Sequence, residues 1–178
     1  MGMGFMHLIF GWFLGKVYEF KTKSELSLVE ISLLMFGTVV PDADYLIDWV
    51  FGTHIHRLLT HSFLGVILGF ILCYFLIKFL NRSLNKNYNA KKLSIFFSVG
   101  ILSHIFLDMT FGWPGISLLY PYDKWFYFFG IENIHRSIGI TNVAVGELLN
   151  ELKLAILDIG LGVAFVFYHI LKGNFKKL

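Results

Sequence analysis

The chain has 178 residues, 56% of them hydrophobic and 15% charged, with a mean hydropathy of +0.67. A soluble domain carries about 25% charge, so these values exclude an ordinary water-soluble fold as well as a disordered chain, and the length allows one domain and hardly two. A net charge of +3, with lysines in scattered clusters rather than along one stripe, excludes a nucleic-acid binder and leaves a small integral membrane protein.

The apolar segments follow in chain order. Residues 4–17 are apolar and glycine-rich. They lack the basic start and small-residue cleavage site of a secretory signal, so they predict a short first helix. Residues 26–40 form a second segment, cut off by Pro41. Residues 62–80 (SFLGVILGFILCYFLIKFL) are the clearest span. Their one charge, Lys78, lies near the end, where it can snorkel, and at ~1.5 Å per residue the stretch reaches roughly 28 Å, a bilayer core. Residues 93–109 are nearly as apolar but carry His104 and Asp108. Residues 154–171 carry Asp158 and His169, which read as helix packing or an interhelical hydrogen bond. The single cysteine, Cys73, sits in an apolar run and reads as a small hydrophobe. The expected fold is all-α: a bundle of four to five transmembrane helices forming one membrane-embedded domain over residues 1–178.

Orientation follows from the basic residues. Stretches 16–23, 78–92 and 172–177 hold eleven of the fifteen lysines and arginines; the other four are Arg57, Lys124, Arg136 and Lys153. The positive-inside rule places those three stretches in the cytoplasm. Loops 41–61 and 111–152 then face outward. The second loop, with Gly112, Trp113, Pro114 and Trp125, is too long for a connector and is expected to form an interfacial cap with one or two short helices.

Ionisable groups in so apolar a chain are costly, so their positions carry information. Asp42 and Asp44 follow Pro41, and His56, Arg57 and His61 precede the third segment. His104 and Asp108 lie in the last turns of the fourth, and His7 near the start of the first. The lysine-derived topology brings all four pieces to the same outer face. His104 and Asp108, at i and i+4, share one helix face and are the only His-x-x-x-Asp/Glu pair in the chain. Imidazole with carboxylate and no thiolate suits zinc, with manganese or iron as alternatives. Singly, each group has a structural reading: a helix-packing pair, a capping Asp, a surface His56, a snorkelling Arg57, a packed His7. Jointly they point to a metal site.

The stretches PDADYLID (41–48), HRLLTHS (56–62) and SHIFLDMTFGWPGISLLYP (103–121) resemble the membrane-bound metal-dependent hydrolases of the YdjM-like group. That group is similar, more remotely, to zinc-dependent phospholipase C. The resemblance implies metal roles for His7, one or both of Asp42 and Asp44, His61, and His104 with Asp108. Phospholipase C adds a downstream His-x-x-x-Glu pair that this chain lacks, which implies one or two ions rather than three.

The expected function is hydrolysis of a phosphoester or lipid-linked ester at the membrane surface by a metal-activated water. The expected metal set is His7, Asp42, Asp44, His56, His61, His104 and Asp108. Arg57, Asp42 and Asp44 are the expected catalytic groups, with Arg57 steadying a phosphate oxygen. Thr60 and Ser62 are read as supporting or capping groups. Expected partners are membrane lipid and a phosphate-containing or lipid-like substrate. The protein is expected to be a multi-pass cell-membrane protein with its site on the extracytoplasmic face. A metal transporter and a structural metal protein are the alternatives. The gathering of polar groups at one end favours the enzyme.

Overall fold

The structure, a computed structural model, describes residues 4–53, 55–111, 115–122, 124–126, 128 and 143–171. Its helices are α1 (Gly4–Thr22), α2 (Leu28–Gly37), α3 (Asp44–Phe51), α4 (Phe63–Ser83), α5 (Ala90–Phe111) and α6 (Val143–Leu171), with a 3-10 turn at Val40–Ala43. Among the described residues there is no strand, only an isolated antiparallel bridge between Ile116 and Phe126.

Local sequence sets the boundaries. Ser27 and Glu30 form a capping box that starts α2. Pro41 opens the 3-10 turn, and Gly52, left-handed at φ 64°, closes α3. The Ser62 hydroxyl caps α4 by accepting from the Gly65 amide at 3.1 Å. The Asn89 side chain accepts from the Lys92 amide at 3.0 Å, at the start of α5.

Helix α5 is the centre of the bundle, packed against α2 on one side and α4 on the other. Its α4 interface is apolar and includes Cys73, Ile77, Leu93, Phe97, Ile101 and Ile105. The α2 interface is a backbone-to-backbone crossing at Gly37 and Gly100. A Cβ on Gly100 would stand 2.2 Å from the Leu34 carbonyl oxygen, and one on Gly37 2.2 Å from that of Phe97. Only glycine at both positions allows this approach. At the other end of the same pair Lys92 reaches Glu30 at 2.5 Å.

Helices α1 and α6 run parallel. The Asp158 carboxylate accepts from the amides of Phe5 (3.1 Å) and Met6 (2.8 Å), capping α1. Further along, Trp12 meets Phe165 and His169 edge to face, at 5.2 and 5.1 Å. The expected interhelical role of Asp158 is thus a helix cap.

Among the described residues, two helices, Phe63–Ser83 and Ala90–Thr110, are long and apolar enough to cross a membrane. Three expectations are corrected. The second segment is helical for only 10 residues, about 15 Å, half a bilayer core, because the chain breaks before Pro41. Loop 41–61 is not a plain loop but contains the 3-10 turn and α3. The last helix begins at Val143 rather than 154, which shortens the 111–152 loop. Most of the cap expected there, including Gly112, Trp113 and Pro114, lies outside the described residues.

Candidate metal centre

Four elements deliver the site. The 3-10 turn after α2 carries Asp42, the start of α3 carries Asp44, the turn before α4 carries His61, and α5 carries His104 and Asp108. Helix α1 adds His7. The Gly37–Gly100 crossing seats the end of α2 against α5, so that the Thr38 carbonyl lies 2.7 Å from His104 Nδ1.

That contact fixes the His104 tautomer. A carbonyl only accepts, so Nδ1 carries the hydrogen and Nε2 presents its lone pair. His61 Nδ1 also carries a hydrogen. Thr60 donates its one hydroxyl hydrogen to Asp44 Oδ2 and therefore accepts from His61 Nδ1, 3.0 Å away. His104 Nε2 thus presents a lone pair, and His61 Nε2 faces it at 3.0 Å, within hydrogen-bond reach.

Two carboxylate oxygens join them. Asp42 Oδ1 is 3.5 Å from each Nε2, and Asp108 Oδ2 is 3.5 Å from that of His61 and 3.6 Å from that of His104. Both oxygens are buried without a hydrogen-bond donor. Among the described residues, four potential ligand atoms therefore gather at one place. Ligands at ~2.0–2.1 Å around a tetrahedral ion stand about 3.3–3.4 Å from one another. The five separations here, 3.0 to 3.6 Å, bracket that value. The donor set Asp42, His61, His104 and Asp108 fits a divalent cation of the zinc type in number, chemistry and spacing.

The electrostatics agree. Burial opposes charge on His61, but contacts with Asp108, Asp42 and Asp44 outweigh it and raise the ring to about 10. Burial likewise opposes ionisation of Asp44 and Asp42. Hydrogen bonds from His56, His61 and Thr60 hold Asp44 well below the usual carboxylate range, and the neighbouring His61 and His104 lower Asp42. The pocket of carboxylates favours a positive charge at its centre.

The other expected residues surround this centre. Asp44 lies behind His61, with its Oδ2 3.5 Å from Nδ1 and its Oδ1 2.6 Å from His56 Nδ1. Asp44, His56 and His61 form a second grouping close enough to hold a cation. His7 approaches from α1: its Nε2 is 3.4 Å from Asp108 Oδ1, and its ring stacks on His104 at 4.1 Å. Arg57 is buried, and its Nε is 3.8 Å from Asp108 Oδ2. Its Nη1 donates to the Gly115 carbonyl at 3.5 Å, and its backbone is left-handed at φ 67°. So placed, Arg57 is no snorkelling surface residue. Ser62 caps α4 and Thr60 ties Asp44 to His61.

Sequence reasoning missed the Thr38 carbonyl, the Gly37–Gly100 crossing and Asp48. The Asp48 carboxylate accepts from Thr53 Oγ1 and from the amides of Ile55 and His56, at 2.6 to 2.9 Å, and so shapes the turn that carries His56. Its position four residues after Asp44, on the same helix face, was the available signal. Exposure at the site is uneven. The side chains of Asp42 and His56 are 25% and 21% exposed, whereas His61 and His104 are at 0%. Among the described residues the centre is therefore most open past Asp42 and His56, at the start of α3.

The family model described as YdjM inner membrane protein matches residues 1–175 of this chain. No curated protein and no solved structure matches it.

Proposed function

We propose that this chain, which belongs to the YdjM inner membrane protein family, is a metal-dependent hydrolase of a phosphoester or lipid-linked ester, acting at the membrane surface. The observation that carries the reading is the convergence of four potential ligand atoms, from Asp42, His61, His104 and Asp108, on one point, with both carboxylate oxygens buried and unpartnered among the described residues. These residues would hold one divalent cation, zinc first, with manganese or iron as alternatives. Such an ion supplies Lewis acidity and lowers the pKa of a water toward 7.

The chain's own residues then divide the work. The Thr38 carbonyl fixes the ring of His104, and Thr60 with Asp44 that of His61. His56 holds Asp44 in turn. His7 steadies the far oxygen of Asp108. The planar guanidinium of Arg57 is placed beside the centre to meet an anionic substrate oxygen. Asp42, the most exposed of the four, stands where a substrate enters.

The proposed topology has α1, α2, α4, α5 and α6 crossing or entering the membrane as a single domain, with the site on the extracytoplasmic face. Parallel α1 and α6, each followed by lysines, fit that arrangement. The apolar α4–α5 interface supports an enzyme over a metal transporter, whose path would need polar lining. The test is purification in mild detergent, metal analysis, and a screen of phospholipids and generic phosphoesters. The expected result is hydrolysis that a chelator abolishes and zinc restores. Stoichiometric metal with no turnover on any of these would favour the structural alternative.

A further inference from the structure

Helix α3 stands apart from the bundle. Among the described helices it packs against the 3-10 turn alone, and its other contacts are with the turn at residues 53–60. Tyr45, Leu46, Ile47, Trp49, Val50 and Phe51 are all exposed, with Trp49 at 80% and Phe51 at 74%. Its two polar side chains, Asp44 and Asp48, share the opposite face and are satisfied inward. Asp44 takes His56 and Thr60, and Asp48 takes Thr53 and the amides of Ile55 and His56. Only apolar groups are left pointing away from the protein.

At 8 residues, α3 is about 12 Å long and cannot cross a bilayer. A short helix with one satisfied polar edge and a Trp- and Tyr-bearing apolar face has the form of an in-plane interfacial helix. In water such a face is costly. In a membrane protein whose second helix ends one turn earlier, the acyl chains of the adjoining leaflet are the partner within reach.

We propose that α3 lies in the plane of the membrane, at the boundary between headgroups and acyl chains, and makes the mouth of the metal centre a lipid-facing edge. Asp44 begins this helix, and Tyr45 meets the ring of His56 edge to face at 5.4 Å. The same eight residues thus touch lipid on one side and back His61 on the other. The proposal rests on the membrane embedding of the chain and not on the hydrolase reading, because its test needs no turnover.

The test uses tryptophan fluorescence in vesicles of phosphatidylethanolamine and phosphatidylglycerol containing phosphatidylcholine brominated on its acyl chains. A Trp12→Phe, Trp113→Phe, Trp125→Phe variant leaves Trp49 as reporter of the outer face. Adding Trp49→Phe and Tyr45→Trp moves the reporter to the mouth. Metal content of the same preparations checks that the site is intact. The expected result is loss of emission from both reporters with bromines near the glycerol end, and little quenching by aqueous acrylamide. Strong acrylamide quenching with no bromolipid effect would overturn the proposal, and so would stronger quenching by bromines near the methyl end. Where the triple variant does not fold, a nitroxide on Trp49→Cys decides the same question. Cys73 is buried, and oxygen collisions exceeding those of an aqueous chromium complex are expected.

Discussion

The Nε2 atoms of His61 and His104 face each other at 3.0 Å, each ring held from behind through its Nδ1. Two imidazole nitrogens so placed need a proton or a cation between them. Asp42 Oδ1 and Asp108 Oδ2 complete the set at 3.5 to 3.6 Å, which turns a local conflict into a coordination geometry.

The residues behind the ligands set how tightly that geometry is held. Asp44→Asn keeps the shape but weakens the grip on His61, whose Nδ1 shares Thr60 and Asp44. Metal affinity is expected to fall about 10–100-fold. Competition titration against a chelator of known affinity measures this. Unchanged affinity would separate Asp44 from the centre.

The Gly37–Gly100 crossing carries Thr38 to His104, so it is a site determinant as well as a packing feature. Gly100→Ala places a methyl 2.2 Å from the Leu34 carbonyl oxygen and 2.8 Å from the Gly37 Cα. Backbone on both sides cannot yield cheaply. The expected cost is about 1–3 kcal/mol, with weaker metal binding. Gly160→Ala is the control, since a Cβ there meets nothing within 4 Å. Equal thermal stability of the two variants would contradict this account.

The eleven-to-four split of basic residues predicts the orientation. Single cysteines introduced at Asn87 and Lys124 should label from opposite sides of the membrane with an impermeant reagent, with Asn87 cytoplasmic. Labelling from one side only would reverse or break the topology.

On the hydrolase reading, Arg57 would separate binding from catalysis. Guanidinium has no lone pair for a metal and stays protonated. Arg57→Ala should keep its metal and lose turnover by ~10²-fold, the scale of one lost oxyanion donor. Arg57→Lys should recover only part, because the planar fork is gone. Metal content and rate are read on the same preparations. Loss of metal together with turnover would instead mark Arg57 as a structural partner of Asp108, 3.8 Å away.

The site was more legible than the path of the chain around it. His104 and Asp108 announced themselves by i, i+4 spacing in an apolar helix, and the Asp-x-Asp after Pro41 by its place at a helix break. The Thr38 contact was not legible, because it uses a backbone carbonyl that every residue has. Hydropathy marked residues 26–40 and 154–171 as apolar but could not say where hydrogen bonding stops. It thus missed the 10-residue length of α2 and the polar start of α6 at Val143. The apolar run 45–51 was hidden by the two aspartates that flank and interrupt it. Only the fold shows Asp44 and Asp48 turned inward together.

The most direct test of the metal centre is X-ray absorption at the zinc edge on purified, zinc-loaded protein, compared with His61→Ala, His104→Ala and Asp108→Ala. The apolar face of α5, with Ile101 and Ile105, is untouched by these changes, so the variants should stay folded. The account predicts a shell of nitrogen and oxygen ligands at ~2.0–2.1 Å with imidazole outer scattering, and strong loss of metal in each variant. Full metal retention in all three variants, or a zinc shell without imidazole, would contradict it.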